Sequence, residues 1–143
     1  MFNKFSFIPG FDYTLVSEID IKIDIYPKEL IKDRYINLCE DGFLLLESGY
    51  AWDSFFFGLF DNEKTIPSFA ILDALYRLIR YNYLDISMKE QIDRLFYQLL
   101  LSKNVNTKIA NILYFLVTKY GMERINKSRD IITIKDIKHV KVL

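Results

Sequence analysis

The sequence predicts an α+β protein in which a small antiparallel sheet packs against three consecutive antiparallel helices. Two observations predict this class. Apolar and polar residues alternate in the first third of the chain, and from Pro67 onward the apolar residues recur at helical spacing. At 143 residues the chain has the length of one domain, and a chain of this size buries roughly 70% of its unfolded surface. We therefore expect a single domain over 1–143, mainly β in 1–48, with helices in 66–121 and a tail over 122–143 that is a candidate edge strand.

About three strands are predicted in the first part of the chain. Residues 19–26 alternate between isoleucine and mostly charged residues, which is the pattern of a strand with one buried face. Pro27 ends this strand because proline cannot donate a hydrogen bond to a neighbouring strand. Residues 35–39 and 43–47 are predicted as two more strands. Glu40-Asp41-Gly42 between them has the composition of a hairpin turn.

Three helices are predicted in the second part of the chain. Pro67 suits the first turn of the first helix. The second helix begins with Ser87-Met88-Lys89-Glu90, a capping-box pattern. The third begins near Asn106 and ends at Gly121, a residue typical of the position just after a helix. The predicted buried residues are Leu72, Leu75, Tyr76 and Ile79, then Ile92, Leu95, Phe96 and Leu99, then Ile109, Ile112, Leu113, Leu116 and Tyr120.

Composition and charge exclude some classes of function. Hydrophobic residues make up 51% of the chain, aromatic residues 16% and charged residues 27%, which is typical of a folded protein with an aromatic-rich core. The 19 basic and 19 acidic residues cancel, so no global field attracts a polyanion. We therefore expect no nucleic-acid partner.

The same sequence features indicate a soluble protein of a reducing compartment. Cys39 is the single cysteine and cannot form an intramolecular disulfide. The N-terminus lacks a signal-peptide pattern. The longest apolar runs, residues 55–60 and 109–117, are shorter than the ~20 residues that a spanning helix needs. We expect no membrane span.

Asp73 is the first carboxylate with an evident partner. Arg77 follows it by four residues, the favourable order for an ion pair on a helix. Two interpretations stay open. Asp73 and Arg77 form a solvated ion pair, or Asp73 accepts a hydrogen bond from the loop that carries Trp52 and Asp53, which would make it structural.

Asp93 is the second such carboxylate. Its neighbours on the predicted second helix are apolar, and an unpaired charge among them would be too costly. Three interpretations stay open: a buried or half-buried ion pair with Arg77 or Arg80, simple exposure, or catalytic use.

The run 54–60 contains four phenylalanines, which cannot all face one side of a strand or helix. The run either lies under the helices as core or is partly exposed and contacts another protein. Two aromatic residues of the third helix favour a contact surface, because they project away from its predicted buried face. The candidate contact residues are Phe55, Phe56, Phe57, Phe60, Tyr114 and Phe115.

Common catalytic motifs are absent from the sequence. It contains no phosphate-binding P-loop, no dinucleotide-binding glycine motif and no HExxH. Cys39 and His139, the single cysteine and histidine, cannot supply a zinc site of the usual type, and we expect no metal and no cofactor. Carboxylate-only chemistry stays open, because Asp53, Asp73 and Asp93 could converge as an acid–base pair or around a hard cation.

Four short segments follow one another along roughly half of the chain: Gly49-Tyr50-Ala51-Trp52-Asp53-Ser54, Ile71-Leu72-Asp73-Ala74-Leu75-Tyr76, Asp93-Arg94-Leu95-Phe96 and Lys119-Tyr120-Gly121. Their order and spacing resemble a phage and prophage family known as domain of unknown function 1353. The pattern of that family is G-x-x-W-D-G-A-S, then H-D-A-L-Y on a helix, then D-x-x-F on the next. The resemblance implies site residues at Asp53, Asp73, Tyr76 and Asp93, in a motif that includes Gly49, Trp52 and, beside Asp73, Arg77.

Two positions depart from the family pattern. Ser54 stands where the family has glycine, and Leu72 stands where it has histidine. A histidine at that position would serve as a proton shuttle or a metal ligand, so Leu72 favours a protein that is not an enzyme.

Two hypotheses about function follow from the resemblance and the residues. The first is a phage- or prophage-encoded accessory protein that acts by protein contact or self-assembly, as a virion component or a host-interaction factor. The alternative is a small hydrolase that acts on cell-wall or phosphoester substrates through Asp53, Asp73 and Asp93. The first hypothesis places the protein in the cytoplasm of a bacterial host or in a virion.

Overall fold

The computed structural model describes residues 5–8 and 11–127, so the candidate edge strand in the tail lies outside the described residues. The chain divides between Ser54 and Phe55 into two compact units. In the first unit the described residues up to 54 form strands, and in the second the residues 55–127 contain the helices. The predicted α+β class is confirmed. The single domain and the packing of helices on a sheet stay predictions.

The described part of the first unit contains seven strands: β1 Phe5–Ile8, β2 Phe11–Leu15, β3 Ile19–Lys22, β4 Ile31–Asp33, β5 Ile36–Leu38, β6 Phe43–Leu46 and β7 Ala51–Trp52. They form two antiparallel sheets, one in the order β1-β2-β7 and one in the order β3-β6-β5-β4. The prediction of a single sheet of about three strands is therefore wrong. The three predicted strands are β3, β6 and β5, which lie side by side, and the remaining four were missed.

The second sheet follows the alternation seen in the sequence. Ile19 pairs with Leu46, and both side chains are buried. The strand β3 ends at Lys22, earlier than predicted, although the amide of Ile23 still donates a 2.8 Å hydrogen bond to the carbonyl of Gly42. Gly42 has a φ of 90°, and an added Cβ would overlap the Ile23 carbonyl. The predicted glycine turn between β5 and β6 is confirmed.

The second unit contains three helices, α1 Ile66–Arg80, α2 Lys89–Ser102 and α3 Thr107–Lys127. The predicted starts of α1 and α3 are confirmed to within a residue, with Pro67 in the first turn of α1. The predicted buried residues of α1 are confirmed, and burial extends over the whole of 67–79. No helix within the described residues has the length and apolar character to cross a membrane.

The start of α2 differs from the prediction. A 3-10 turn, Ile86–Met88, precedes the helix, and the Asp85 carboxylate accepts a 2.9 Å hydrogen bond from the Ser87 amide. Glu90 instead accepts a 2.6 Å hydrogen bond from Arg94. The predicted capping box between Ser87 and Glu90 is therefore wrong, because Asp85 provides the capping oxygen one turn earlier.

The third helix also differs from the prediction. It continues through Gly121 to Lys127, so Gly121 does not end it. The buried face consists of Ala110, Leu113, Val117, Gly121 and Ile125. The predicted core residues Ile112 and Tyr120 are each 45% exposed, which leaves Leu113 as the one predicted residue that is fully buried.

Candidate functional site

The motif from Gly49 to Ser54 closes the first sheet. Gly49 has a φ of 97°, and its amide donates a 2.9 Å hydrogen bond to the carbonyl of Leu15. The Leu15 amide donates in turn to the carbonyl of Tyr50 at 2.8 Å. The glycine is needed for this left-handed turn, which brings β7 alongside β2.

Trp52 and the two residues after it are held in the same unit. The buried indole of Trp52 stacks on Tyr13 and Tyr50, with ring centroids 5.4 and 5.8 Å away. Ser54 donates to Asp12 through its amide at 2.9 Å and its hydroxyl at 2.8 Å, and the Asp12 amide lies 3.3 Å from the Asp53 carboxylate. Ser54 therefore fixes the loop to β2.

Asp73 lies at the centre of a buried ion pair network in α1. Its side chain is 1% exposed and that of Arg77 2%. One carboxylate oxygen of Asp73 accepts from Nε of Arg77 at 2.9 Å, and the other accepts from Nη2 of Arg124 at 2.9 Å. The predicted pairing of Asp73 with Arg77 is confirmed, but the pair is buried rather than solvated. A hydrogen bond from the Trp52 loop to Asp73 stays a prediction.

Arg124 connects the Asp73 network to the aromatic core of the helical unit. Its guanidinium carbon lies 3.7 Å from the ring centroid of Phe55. Phe55 is buried and stacks on Phe69 at 5.1 Å. The arrangement combines an ion pair with a cation–π contact, so Arg124 fixes α3 to α1 and to the segment before α1.

Asp93 forms a second buried network that joins all three helices. The hydroxyl of Tyr76 on α1 donates to Oδ1 of Asp93 at 2.5 Å, and Nζ of Lys89 lies 2.5 Å from Oδ2. Lys89 also donates to the carbonyl of Val117 on α3 at 3.0 Å. Asp93 is buried and paired, as one interpretation predicted, but its partners are Tyr76 and Lys89 rather than Arg77 or Arg80.

Burial controls the protonation of this second network. It raises the pKa of the Tyr76 hydroxyl far above the ordinary value of 10.0, and the negative charge of Asp93 acts in the same direction. It also raises the pKa of the Asp93 carboxyl above 3.8, against the opposing effect of the hydrogen bonds from Lys89 and Tyr76. The neutral tyrosine is thus a donor to Asp93 and not a proton source near neutral pH.

A cleft of about 360 Å³ leads to the second network. Its walls combine the Lys89–Asp93 pair with polar and aromatic groups of α2 and α3. The lining residues are Ile86, Ser87, Lys89, Glu90, Asp93, Tyr114 and Thr118. Both oxygens of Asp93 already accept hydrogen bonds, so a ligand in this cleft would meet a carboxylate that is engaged.

The described residues do not gather the acids into a metal site. In the parts of the chain that the structure describes, no group of three or more histidine, cysteine, aspartate or glutamate side chains is placed to hold a metal ion. Asp73 and Asp93 belong to two separate sets of partners, the first with arginines and the second with Lys89 and Tyr76.

The phenylalanine run is partly core and partly exposed. Phe55 is buried, Phe56 and Phe60 are half-buried, and Phe57 is 98% exposed. Leu59 beside it is 77% exposed. The run is therefore core at Phe55 and exposed at Phe57, and its contact with another protein stays a prediction. We call residues 56–60 the aromatic loop.

The aromatic loop has an unusual backbone. Phe56, Phe57 and Gly58 have φ values of 52°, 58° and 74°, all in the left-handed region. Amides of Gly58 and Leu59 donate to the carbonyls of Phe55 and Phe56 at 3.0 and 3.2 Å, which makes a single tight turn. Bulky L-residues avoid this region at a cost of roughly 1–2 kcal/mol each.

The base of the aromatic loop is rigidly hydrogen-bonded. The Thr65 hydroxyl, which is buried, donates to the carbonyl of Phe60 at 2.7 Å. The side chain of Asn62 accepts from the amides of Lys64 and Thr65 at 2.8 and 3.1 Å. These bonds hold the turn in place ahead of α1.

The two aromatic residues predicted to face outward on α3 differ in exposure. Phe115 is 58% exposed, as predicted. Tyr114 is half-buried, because its ring packs on Tyr97 of α2 with centroids 5.3 Å apart.

A separate groove of about 700 Å³ lies near the end of α3. Its lining residues are Ile79, Arg80, Asn82, Leu84, Asp85, Ile86, Met122, Ile125 and Asn126.

Sequence reasoning missed three residues of these networks. Lys89 could have been found, because it precedes Asp93 by four residues on one helix face. Arg124 and Asp12 could not have been found, since 51 residues separate Arg124 from Asp73 and 42 separate Asp12 from Ser54.

Comparison with protein-family models, curated proteins and solved structures found no match for this chain.

Proposed function

We propose that this protein is an accessory protein that acts by contact with another protein, through the aromatic loop. The observation that carries the proposal is the exposure of Phe57, whose side chain is 98% accessible, next to Leu59 at 77%. Aromatic side chains are enriched at the buried centres of protein interfaces. Phe57 is an anchor of this kind, presented on a turn whose base is fixed by Thr65 and Asn62.

The energetics of the loop support this proposal. Leaving a phenylalanine in water forgoes the roughly 1.5–3 kcal/mol that its burial would supply. The left-handed backbone of Phe56 and Phe57 adds a further cost. Strained, exposed apolar segments are typical of binding sites, where a partner supplies the missing burial.

The state of the acids favours contact over catalysis. Asp73 is sealed between two arginines, and Asp93 is held by Tyr76 and Lys89. Each carboxylate accepts a hydrogen bond from its own helix and one from another helix, and such fixed pairs stabilise the packing of the helices. Loss of a histidine at Leu72, which is itself buried, agrees with this structural role.

The alternative function, a small hydrolase, has one observation in its favour. Asp93 lines a cleft, and its pKa is raised, as the pKa of a general acid often is. Asp73 would not take part, because its partners leave neither oxygen open. This alternative requires Lys89 to move away from Asp93 when a substrate binds.

The resemblance to a phage and prophage family gives the proposal its biological setting. On that basis the protein is encoded by a phage or prophage and is a virion component or a host-interaction factor. It would then be found in the cytoplasm of a bacterial host or in the virion. A protein surface of the host or of the particle would supply the pocket for Phe57.

The test is site-specific photo-crosslinking. A photoreactive phenylalanine analogue placed at Phe57 should link the protein to one defined partner in extracts of the source organism or its virions. The same analogue at Tyr83, which is also exposed but lies after α1, serves as the matched control. An identical pattern of products from both positions, or no product from Phe57, would refute contact through the aromatic loop.

A further inference from the structure

The outer face of α3 carries an exposed apolar stripe that the aromatic loop does not include. Ile112, Phe115 and Met122 are 45%, 58% and 39% exposed. Lys119 lies between the last two, so the spacing along the stripe is three, four and three residues. This spacing places the four side chains in one line along a helix, as in the seam of a coiled coil.

The stripe lies opposite the face by which α3 packs in its own unit. That inner face is formed by residues such as Ala110, Leu113 and Val117, which are buried. A helix that is apolar on two opposite faces is normally covered on both. On the outer face the described residues leave the stripe accessible.

We propose that the outer stripe of α3 pairs with the same stripe of a second copy of this chain, in antiparallel orientation. Antiparallel pairing in coiled-coil register sets Ile112 against Met122 of the second copy, an apolar layer that occurs twice. It also sets Phe115 against Lys119 of the second copy. The stripe is therefore complementary to itself under a two-fold axis, the commonest symmetry of protein dimers.

Charge favours the antiparallel orientation over the parallel one. Within one chain Nζ of Lys119 lies 5.7 Å from the Phe115 ring centroid, which is within the range of a cation–π contact. In the antiparallel pair each Phe115 meets a second lysine, and the two lysine charges stay apart. A parallel pair would place Lys119 against Lys119 of the second copy, and that repulsion disfavours it.

The pairing is independent of the proposed function, since it uses α3 and not the aromatic loop. Because four layers of one helix make a small interface, we expect a weak, concentration-dependent dimer. Sedimentation equilibrium of the full chain should show monomer and dimer in exchange. Phe115→Ala should weaken the dimer by about 10-fold or more, as truncation of a central anchor does.

Two variants serve as controls. Tyr120→Ala changes an α3 residue that is also 45% exposed but lies outside the stripe, and it should leave the dimer unchanged. Phe57→Asn should also leave it unchanged, although it removes the ring that the proposed contact of the aromatic loop uses. The circular dichroism of each variant should match that of the native chain.

Cysteine crosslinking tests the orientation in a Cys39→Ser background. Mixed Ile112→Cys and Met122→Cys chains should form a disulfide-linked heterodimer, whereas each variant alone should not, since the two positions are about 15 Å apart along a helix. The proposal is overturned by a monomer at every concentration, by a dimer that tolerates Phe115→Ala, or by self-linked Ile112→Cys chains.

Discussion

Gly121 of α3 lies directly against the hydroxyl of Tyr76 on α1. A side chain at position 121 has no room: its Cβ would overlap that hydroxyl and lie 2.8 Å from Cε of Lys89. Tyr76 and Lys89 are the two groups that hold Asp93. The absence of a side chain at Gly121 is thus what allows α3 to approach the other two helices at this point.

Gly121→Ala should destabilise the protein by about 1–3 kcal/mol, the usual effect of overpacking a core. A loss of stability would be informative, because alanine in a helix interior is normally more favourable than glycine by roughly 0.5–1 kcal/mol. Urea unfolding monitored by circular dichroism measures the change.

Tyr76→Phe tests whether the Tyr76 hydroxyl causes the loss of stability in Gly121→Ala. It removes the hydroxyl, so Gly121→Ala should cost less in the Tyr76→Phe chain than in the native chain, and the two changes should be non-additive. A Gly121→Ala protein as stable as the native one would show that the close approach is not what the glycine is needed for.

Asp73→Asn should destabilise the protein by about 3–5 kcal/mol, because it leaves the buried charge of Arg77 without its counter-charge. The effect should appear in the urea midpoint. A hydrolase with Asp73 at its centre would instead lose activity and keep its stability.

Glu90→Gln provides the matched control for Asp73→Asn. Glu90 and Arg94 form an ion pair at the same spacing, but their side chains are 81% and 53% exposed. Because exposed pairs contribute little, this variant should stay within about 0.5 kcal/mol of the native protein. Equal effects of the two substitutions would contradict the assignment of Asp73 to a buried network.

The parts of the fold that are periodic along the sequence were predictable. The isoleucine alternation in 19–26 correctly indicated β3, and the glycine at 42 correctly indicated the hairpin. The starts of α1 and α3 followed from local chemistry, whereas that of α2 did not. Strands β4 and β7 are three and two residues long, too short to show a period, and they exist because neighbouring strands pair with them.

The candidate site was predictable only where partners lie close in sequence. The Asp73–Arg77 pair is a helical neighbour pair and was found. The role of Gly121 was not predictable, because a glycine near the end of a run of helically spaced apolar residues is also typical of a helix terminus. The buried face of α3 depends on its contacts with Tyr76 and Lys89, which lie on two other helices. The local sequence of α3 does not predict these contacts.

The raised pKa of Asp93 predicts an unusual dependence of stability on pH. Between pH 3.8 and the raised value, the folded chain binds more protons at Asp93 than the unfolded chain does. Stability contributed by this group is therefore complete below pH 3.8 and is lost as the pH rises through the folded pKa. Carboxylates with a lowered pKa behave in the opposite way.

Asp93→Asn isolates this contribution. The difference in unfolding free energy, native minus Asp93→Asn, should decrease as the pH rises through the acid range. Carbon-13 NMR of the Asp93 carboxyl should give a titration midpoint above 3.8. A midpoint at or below that value would mean that Lys89 and Tyr76 outweigh burial.

Phe57→Asn should stabilise the protein while removing its proposed contact. Phe57 is 98% exposed, so the ring contributes no packing, and its φ of 58° lies in a region that asparagine tolerates better than phenylalanine. We expect the unfolding free energy to rise by about 0.5–1 kcal/mol. The melting temperature should then rise by roughly 1–4 °C, since 1 kcal/mol shifts the melting temperature of a chain of this size by a few degrees.

Leu59→Asn is the matched control, because Leu59 is also exposed but has a φ of −58°, which is ordinary for any residue. It should therefore give no gain in stability, yet weaken partner binding as Phe57→Asn does. A Phe57→Asn chain that is less stable than the native protein would show that the ring is buried in solution, and the aromatic loop would then be part of the core and not an anchor for a partner.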